Sequence, residues 1–328
     1  MAVHPLWEQY PAIQQDLIET KKVMEKSVKI RNKEITNALQ LFFEAGGKLL
    51  RPAYFILFSK FGDTTNIPKK NIHRMAASLE ILHVATLIHD DIIDDSPMRR
   101  SLPSIQAMYG QDIAVYTGDF LFTVYFHLLS TSTSNARTIE MNAHSMKRVL
   151  VGELDQMNLR YNTNITVKQY FQHIKGKTAQ LFEFSCLEGV HYTGGSKRMQ
   201  LLAKRIGYNI GMAFQIMDDI LDYQSTESAM QKPVFEDMKN GYYTLPLILA
   251  MDKSKGEFAP YLEKRTELTE TELSEVQELI ETYEGIKQAE VIAERFTDKA
   301  LSNIMKLPDL PERAILYNVT KTLLGRNN

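Results

Sequence analysis

Two runs of this 328-residue chain place carboxylates where they could hold a cation. One reads Leu87-Ile88-His89-Asp90-Asp91-Ile92-Ile93-Asp94-Asp95 and the other Phe214-Gln215-Ile216-Met217-Asp218-Asp219-Ile220-Leu221-Asp222. On a helix, residues four apart share a face, so Asp90 faces Asp94 and Asp218 faces Asp222. Carboxylates at that spacing repel each other, and aspartate close to a helix C-terminus also opposes the dipole. A single run of this kind reads most simply as a solvated acidic helix end. The same arrangement twice, each after a long apolar approach, points instead to a compensating metal. Sites built from carboxylates, without cysteine or paired histidine, suit a hard cation. Carboxylates this sparse leave room for water and phosphate oxygens, which favours magnesium; calcium would favour a compact oxygen-rich loop with a glycine turn, which neither run has. His89 reads as an internal hydrogen-bond partner rather than a third ligand.

Basic residues stand beside the acids. Arg99 and Arg100 follow the first run, and Lys232 follows the second. Lys48 and Arg51 lie in Ala45-Gly46-Gly47-Lys48-Leu49-Leu50-Arg51-Pro52, and Lys177 lies in Gly176-Lys177-Thr178-Ala179. Taken singly, each reads as a surface residue. Taken with both acid clusters, guanidinium forks and mobile ammonium groups form a set able to hold two diphosphates.

Long helices must carry these groups. Met75, Leu79, Leu82 and Thr86 recur at helical spacing in a segment expected to run from about Lys70 to Asp95, ended by Pro97. A second long helix is expected from about Lys197 to Tyr223, after the turn residues Gly194 and Gly195, and another from Ile165 to Val190. Ser130 to Ala136 reads as a polar loop, and Phe258 to Leu324 as a charged helical tail. Alternating strand patterns are scarce, so the fold class expected is all-α. No Pro/Gly/Ser-rich linker divides the chain, and one domain over residues 1–328 is expected.

Composition sets the outer limits. With 44 % hydrophobic and 24 % charged residues, the chain can bury a sizeable core, and a formal charge of -2 leaves no general polyanion-binding face, so nucleic acid is not an expected partner. The only cysteine, Cys186, permits no internal disulfide and suits packing. The N-terminal stretch lacks the basic start and apolar run of a secretory signal. Gly118, Asp119 and His127 interrupt the apolar stretch from Tyr116 to Leu129, which reads as too short and too polar to span a membrane. A cytoplasmic protein is expected, with at most transient membrane contact to release product.

The ordered series GGKLLRP, LIHDDIIDDSPMRR, GELDQM, GKTA, FQIMDDILDY and KPVFEDMKNGYYTLP, which ends at Pro246, resembles the trans-prenyltransferases, the family of farnesyl, geranylgeranyl and longer polyprenyl diphosphate synthases. One DDxxD is weak evidence; the series in this order is specific. The resemblance implies a bundle of antiparallel helices around a deep central cavity. It implies isopentenyl diphosphate held by Lys48, Arg51, His83 and Arg100. It implies an allylic diphosphate held directly by Arg99, Lys177 and Lys232, and through magnesium by Asp90, Asp94 and Asp218 with Asp91 and Asp222 in support, with about three ions per site. Thr178 and Gln215 would sit beside the reacting carbons, and with Lys177 they make up the catalytic set that the resemblance implies. A homodimer, or a heterodimer with a small helper subunit, is implied as well.

Three departures from the family pattern stand out: Ser101 after the arginine pair, Gln231 and Phe235 in place of two glycines flanking Lys232, and Tyr242 where a lysine often follows Gly241. The last two are expected to stiffen or reshape a loop over the substrate. If the growing chain runs down from the first acid cluster, Ala85 and Thr86, about one turn or 5 Å below the metals, form the first layer it passes. Both are small, so the expected product is long, about six or seven five-carbon units. A class I terpene cyclase shares the acid motif but has no need of Lys48, Arg51 and Arg100, and a non-catalytic subunit of the same fold would not need both acid clusters.

Overall fold

A computed structural model describes residues 3–45, 47–100, 102–224, 235–254 and 256–325. Ser101, Gln231 and Lys232 lie outside the described residues. The chain forms two compact units, one from Met1–Met146, Phe184–Lys204 and Leu307–Val319, the other from Lys147–Glu183, Arg205–Lys306 and Thr320–Asn328. Each unit is assembled from three stretches of sequence, so no single linker divides one from the other.

The first unit contains α1 (Pro11–Ser27), α2 (Lys33–Glu44), α3 (Leu50–Ser59), α4 (Lys69–Ile93), α5 (Ile105–Tyr109) and α6 (Gln111–Ser130). Asn32 starts α2 by accepting hydrogen bonds from the amides of Glu34 (3.0 Å) and Ile35 (3.2 Å). α4 is buried over most of its length and is an interior helix, packed by α1, α3 and α6. Met75, Leu79, Leu82 and Ala85 are fully buried, and each larger side chain among them contributes about 2 kcal/mol by leaving water. The helix ends at Ile93 rather than Asp95; Asp94 is its C-cap, and Asp95 has turned to φ 49°.

α6 runs antiparallel to α4. Asn71 and Arg74, near the start of α4, donate to the carbonyls of Ser132 (3.4 Å) and Thr131 (3.3 Å) just past the end of α6. At the other end Gly118 lies on the His89 ring, where an added Cβ would stand 2.4 Å from Cε1. The expected polar loop is the short link between α6 and α7 (Ala136–Asn158). Against the sequence expectation, α6 is long and apolar enough to cross a membrane by length and composition. The reason is that the helix begins at Gln111, before the stretch considered above, while Leu121, Val124, Tyr125, Leu128 and Leu129 bury one side of it.

The second unit takes the later part of α7, then α8 (Val167–Ile174), a π-helical turn (Lys175–Ala179), the start of α9 (Gln180–Tyr192), most of α10 (Lys197–Gln224), α11 (Glu236–Lys239), α12 (Leu245–Lys253), α13 (Ala259–Leu262), α14 (Glu270–Thr282) and α15 (Gly285–Ile304); the rest of α9 and most of α16 (Pro311–Leu324) belong to the first. Thr166 with Gln169, and Thr269 with Glu272, form capping boxes that start α8 and α14. Tyr170, Ile216, Tyr223, Leu247, Val276 and Ile280 belong to one buried cluster. The helix expected over Ile165 to Val190 is present as a continuous run from Val167 to Tyr192, widened by one π-helical turn at Lys175–Ala179. Gly176 there abuts Gly152 of α7 so closely that a Cβ on Gly152 would stand 2.6 Å from the Gly176 carbonyl carbon. Only paired glycines allow that approach, and the widened turn meets it. Among the described residues the only strands are Met98–Arg99 and Leu102–Pro103, an antiparallel pair.

Candidate active site

In the first unit the end of α4 presents Asp90, Asp91 and Asp94. Asp90 is buried, Asp91 more so at 1 % exposure, and Asp94 is half-buried. The short hairpin after α4 folds Arg99 back onto the helix, where its Nε donates to Asp91 Oδ1 at 2.7 Å and its Nη2 pairs with the same oxygen. The turn between is fixed by Ser104 Oγ donating to the Ser96 carbonyl (2.7 Å) and by Gln106 donating to Asp95 and Ser96. Burial pushes the Asp91 carboxyl above its ordinary range, with Asp90 and Asp94 adding to the rise and Arg99 opposing it. Asp91 Oδ2 is buried and without a hydrogen-bond partner. His89 is committed elsewhere: Nδ1 lies 3.0 Å from the Ala85 carbonyl, Nε2 lies 3.3 Å from Asp119, and the ring stacks on Phe122.

Lys48, Arg51, His83 and Arg100 are in the same unit. Lys48 sits in the link between α2 and α3, which ends at Leu49 in the left-handed region (φ 48°) as the N-cap of α3. Arg100 lies over the Phe42 ring at 5.4 Å and against Gly47, where an added Cβ would stand 3.1 Å from Nη1. Burial brings Arg51 down to about 10, with Arg100 lowering it further and Glu80 opposing. Burial, then Arg51, Arg100 and Arg99, hold His83 well below its usual value, so it is neutral beside three cations. Glu80, one turn before His83, escaped the sequence reading. It is buried, burial raises its carboxyl while Arg51 and Arg100 lower it, and its Oε2 has no hydrogen-bond partner. Its signal in the sequence is an acid set directly among the apolar residues Leu79, Ile81 and Leu82.

Ala85 is fully buried and Thr86 nearly so. The Thr86 hydroxyl donates to the His83 carbonyl at 2.8 Å, which spends its polarity inside the helix.

In the second unit α10 ends in Asp218, exposed, Asp219, buried, and Asp222, half-buried. Asp219 is held by the scaffold: Tyr170 donates to Oδ2 at 2.5 Å and Gln215 Nε2 to Oδ1 at 2.7 Å. Thr178, in the wide turn, donates to Gln215 Oε1 at 2.5 Å. Thr178 and Gln215 are therefore joined by one hydrogen bond, continuous through Asp219 with Tyr170. Lys177 Nζ donates to Gln156 Oε1 (2.7 Å) and pairs with Glu153 Oε2 (3.0 Å), which joins GKTA to GELDQM. Burial raises Asp219 to about 7 against its two hydrogen bonds, with Asp218 and Asp222 adding to the rise. Asp237, absent from the sequence assignment although it stands inside KPVFEDMKNGYYTLP, is raised well above its ordinary value by burial and by Asp222, Asp219 and Asp218; Lys177 opposes.

The departures have visible consequences where the residues are described. Phe235 keeps a glycine-like backbone (φ 61°), at a cost of about 1–2 kcal/mol, and buries its ring edge-on against Tyr223 at 5.3 Å. Tyr242 lies under the Arg160 guanidinium at 5.6 Å.

The donor set fits magnesium. A buried open oxygen on Asp91, and carboxyls in the second unit that hinder one another's ionisation, are what a divalent cation would relieve. Among the described residues no three His, Cys, Asp or Glu groups enclose an ion by themselves.

The polyprenyl synthetase family matches residues 32–283. Heptaprenyl diphosphate synthase component 2 of Bacillus subtilis is 31 % identical over 95 % of this chain and 88 % of its own length. A crystal structure of geranylgeranyl pyrophosphate synthase from Lactobacillus brevis is similar with a TM-score of 0.93 and 41 % identity, covering 98 % of this chain and 99 % of that one. A heptaprenyl diphosphate synthase from Staphylococcus aureus has a TM-score of 0.90 and 33 % identity, covering 96 % and 99 %. The fold is the all-helical isoprenoid synthase fold, and the chain belongs to the polyprenyl synthetase family.

Proposed function

We propose that this protein is an active, magnesium-dependent trans-polyprenyl diphosphate synthase that condenses an allylic diphosphate with isopentenyl diphosphate, head to tail, and releases diphosphate. The observation that supports this reading is the repeated acid cluster at the ends of α4 and α10, in each copy of which the second aspartate is tied to the scaffold, Asp91 by Arg99 and Asp219 by Tyr170 and Gln215. Asp90 and Asp94, with the open oxygen of Asp91, and Asp218 and Asp222 would hold magnesium, which as a Lewis acid supplies stabilisation of the departing diphosphate. Arg99, Lys177 and Lys232 bind the allylic diphosphate directly. Lys48, Arg51, His83 and Arg100 bind isopentenyl diphosphate; neutral His83 contributes a hydrogen bond and the arginines contribute charge.

The allylic C–O bond breaks with its electron pair passing to diphosphate, the isopentenyl double bond supplies the new C–C bond, and a proton leaves to the released diphosphate. Cations fixed around the leaving group stabilise this charge separation more than the ground state. The Thr178–Gln215 pair turns oxygen dipoles toward the allylic carbon. An extended chain leaving Asp90 passes Ala85 and Thr86, and their small, apolar surfaces favour a product of about thirty to thirty-five carbons. The name of the Bacillus subtilis relative agrees with that length. A shorter product of about twenty carbons is the second reading, favoured by the 41 % identity to a geranylgeranyl synthase.

A second copy of the chain is the proposed partner, covering the apolar outer side of α6, where Tyr116 is 76 % exposed beside Ile113 and Phe126. A helper subunit is the alternative, since the Bacillus subtilis relative is called a component.

The test incubates the purified chain with radiolabelled isopentenyl diphosphate, farnesyl diphosphate and magnesium, then resolves dephosphorylated products by reversed-phase chromatography. Long labelled prenols that vanish with chelator support the reading; no elongation with or without added helper overturns it. Ala85→Phe should shorten the product to about fifteen or twenty carbons if the chain passes this residue. A stable variant that makes the parent product places the path elsewhere.

A further inference from the structure

The Lys48 segment is anchored from a direction the family motifs do not include. The N-terminal 3-10 turn Pro5–Trp7 buries Trp7 completely, and its indole Nε1 donates to the Lys48 carbonyl at 2.7 Å. This bond spans 41 positions and is shorter than a typical N–H···O bond. The turn is itself set: His4 Nδ1 accepts from the Leu6 amide at 3.1 Å, and the Trp7 amide donates to the His4 carbonyl at 3.1 Å. On the other side of Lys48, Gly47 rests against the Arg100 guanidinium and Leu49 adopts a left-handed conformation that only surrounding contacts sustain. The Gly47–Leu49 part of the link between α2 and α3 is thus clamped between a buried indole and an arginine, with a lysine at its centre.

We propose that Trp7 is a positioning residue for isopentenyl diphosphate: its N–H fixes the Lys48 carbonyl and thereby the backbone from which the lysine side chain reaches the diphosphate. The N-terminal turn belongs to the substrate site, and Trp7, the only tryptophan in the chain, reports on that site's occupancy. The inference rests on the assignment of Lys48 to isopentenyl diphosphate.

Trp7→Phe keeps most of the ring and deletes the donor. The expected result is a rise of about tenfold in KM for isopentenyl diphosphate, the scale of one lost buried hydrogen bond, with kcat and KM for the allylic substrate unchanged. In the parent protein, isopentenyl diphosphate added without allylic substrate should shift or quench tryptophan emission with a midpoint that Lys48→Ala moves upward. Equal losses for both substrates, a fall in kcat alone, or an unchanged KM in Trp7→Phe would show that Trp7 merely packs the N-terminus. Should that variant fail to fold, as a melting curve would reveal, parent emission that ignores isopentenyl diphosphate overturns the proposal. A KM unchanged in Lys48→Ala overturns the site assignment itself, and is distinguishable from a Lys48→Ala defect without a matching Trp7→Phe defect, which overturns only the role of Trp7.

Discussion

The two aspartate clusters use the same sequence spacing but hold their second aspartate by different means. In the first, Asp91 is gripped by a cation, Arg99, delivered by a hairpin. In the second, Asp219 is gripped by neutral donors, Tyr170 and Gln215, and the same amide reaches on to Thr178. A guanidinium offsets carboxylate charge, whereas a phenol and an amide only solvate it. In the second cluster burial raises Asp219 to about 7 and raises Asp237 well above its ordinary value, with the neighbouring aspartates adding to both. The lesson is that one motif can assign its middle carboxylate to the scaffold in both copies, by a cation in one and by neutral donors in the other.

The largest expected effect separates the outer carboxylates from the inner ones. Asp90→Ala and Asp218→Ala should each lower turnover about a hundredfold or more, the scale of lost transition-state charge stabilisation, while circular dichroism shows an intact fold. Metal-free Asp218→Ala should melt no lower than the parent, because one repelling charge is gone. Near-normal turnover with unchanged magnesium dependence in either variant would break the metal assignment.

A smaller effect tests the arginines. Arg100→Ala should raise KM for isopentenyl diphosphate about tenfold to a hundredfold, the scale of a charged hydrogen bond. Arg99→Ala should act chiefly on the allylic substrate and also leave Asp91 without its buried counter-ion. A swap of the two kinetic effects would reverse the sites.

The smallest effect is on stability and its pH dependence. Asp219→Ala should cost about 1–3 kcal/mol in denaturant titration by leaving Tyr170 and Gln215 unpaired. The Asp219 carboxyl has a higher pKa folded than its ordinary 3.8, so the folded state holds the proton more tightly. Its contribution to stability is fullest below pH ~4 and is lost as pH rises through ~7. Metal-free parent protein should accordingly melt lower at pH 7 than at pH 5, and Asp219→Asn should flatten that slope.

What could be read before folding follows physical range. Helical period and paired acids depend on residues within one turn, so the ends of α4 and α10 and the polar link after α6 lie within a residue or two of their expected places. Features made by distant partners were illegible. The wide turn at Lys175–Ala179 exists because Gly176 meets Gly152, and nothing local to GKTA announces it. Asp237 gains its meaning from Asp218, Asp219 and Asp222, and Trp7 from Lys48. Phe235 looked like the loss of a flexible glycine, yet it keeps the positive φ and buries its ring on Tyr223. The membrane-length character of α6 was missed because its true start precedes the apolar stretch.

The measurement that most directly tests the division between outer and inner carboxylates is calorimetric titration of magnesium into protein saturated with a non-reacting allylic diphosphate analogue. The parent is compared with Asp90→Asn, Asp218→Asn and Asp219→Asn. The account predicts that magnesium binds the parent, that both outer variants lose bound ions, and that Asp219→Asn keeps the parent stoichiometry. Absence of magnesium binding to the parent, or an equal loss of ions in Asp219→Asn, would contradict it.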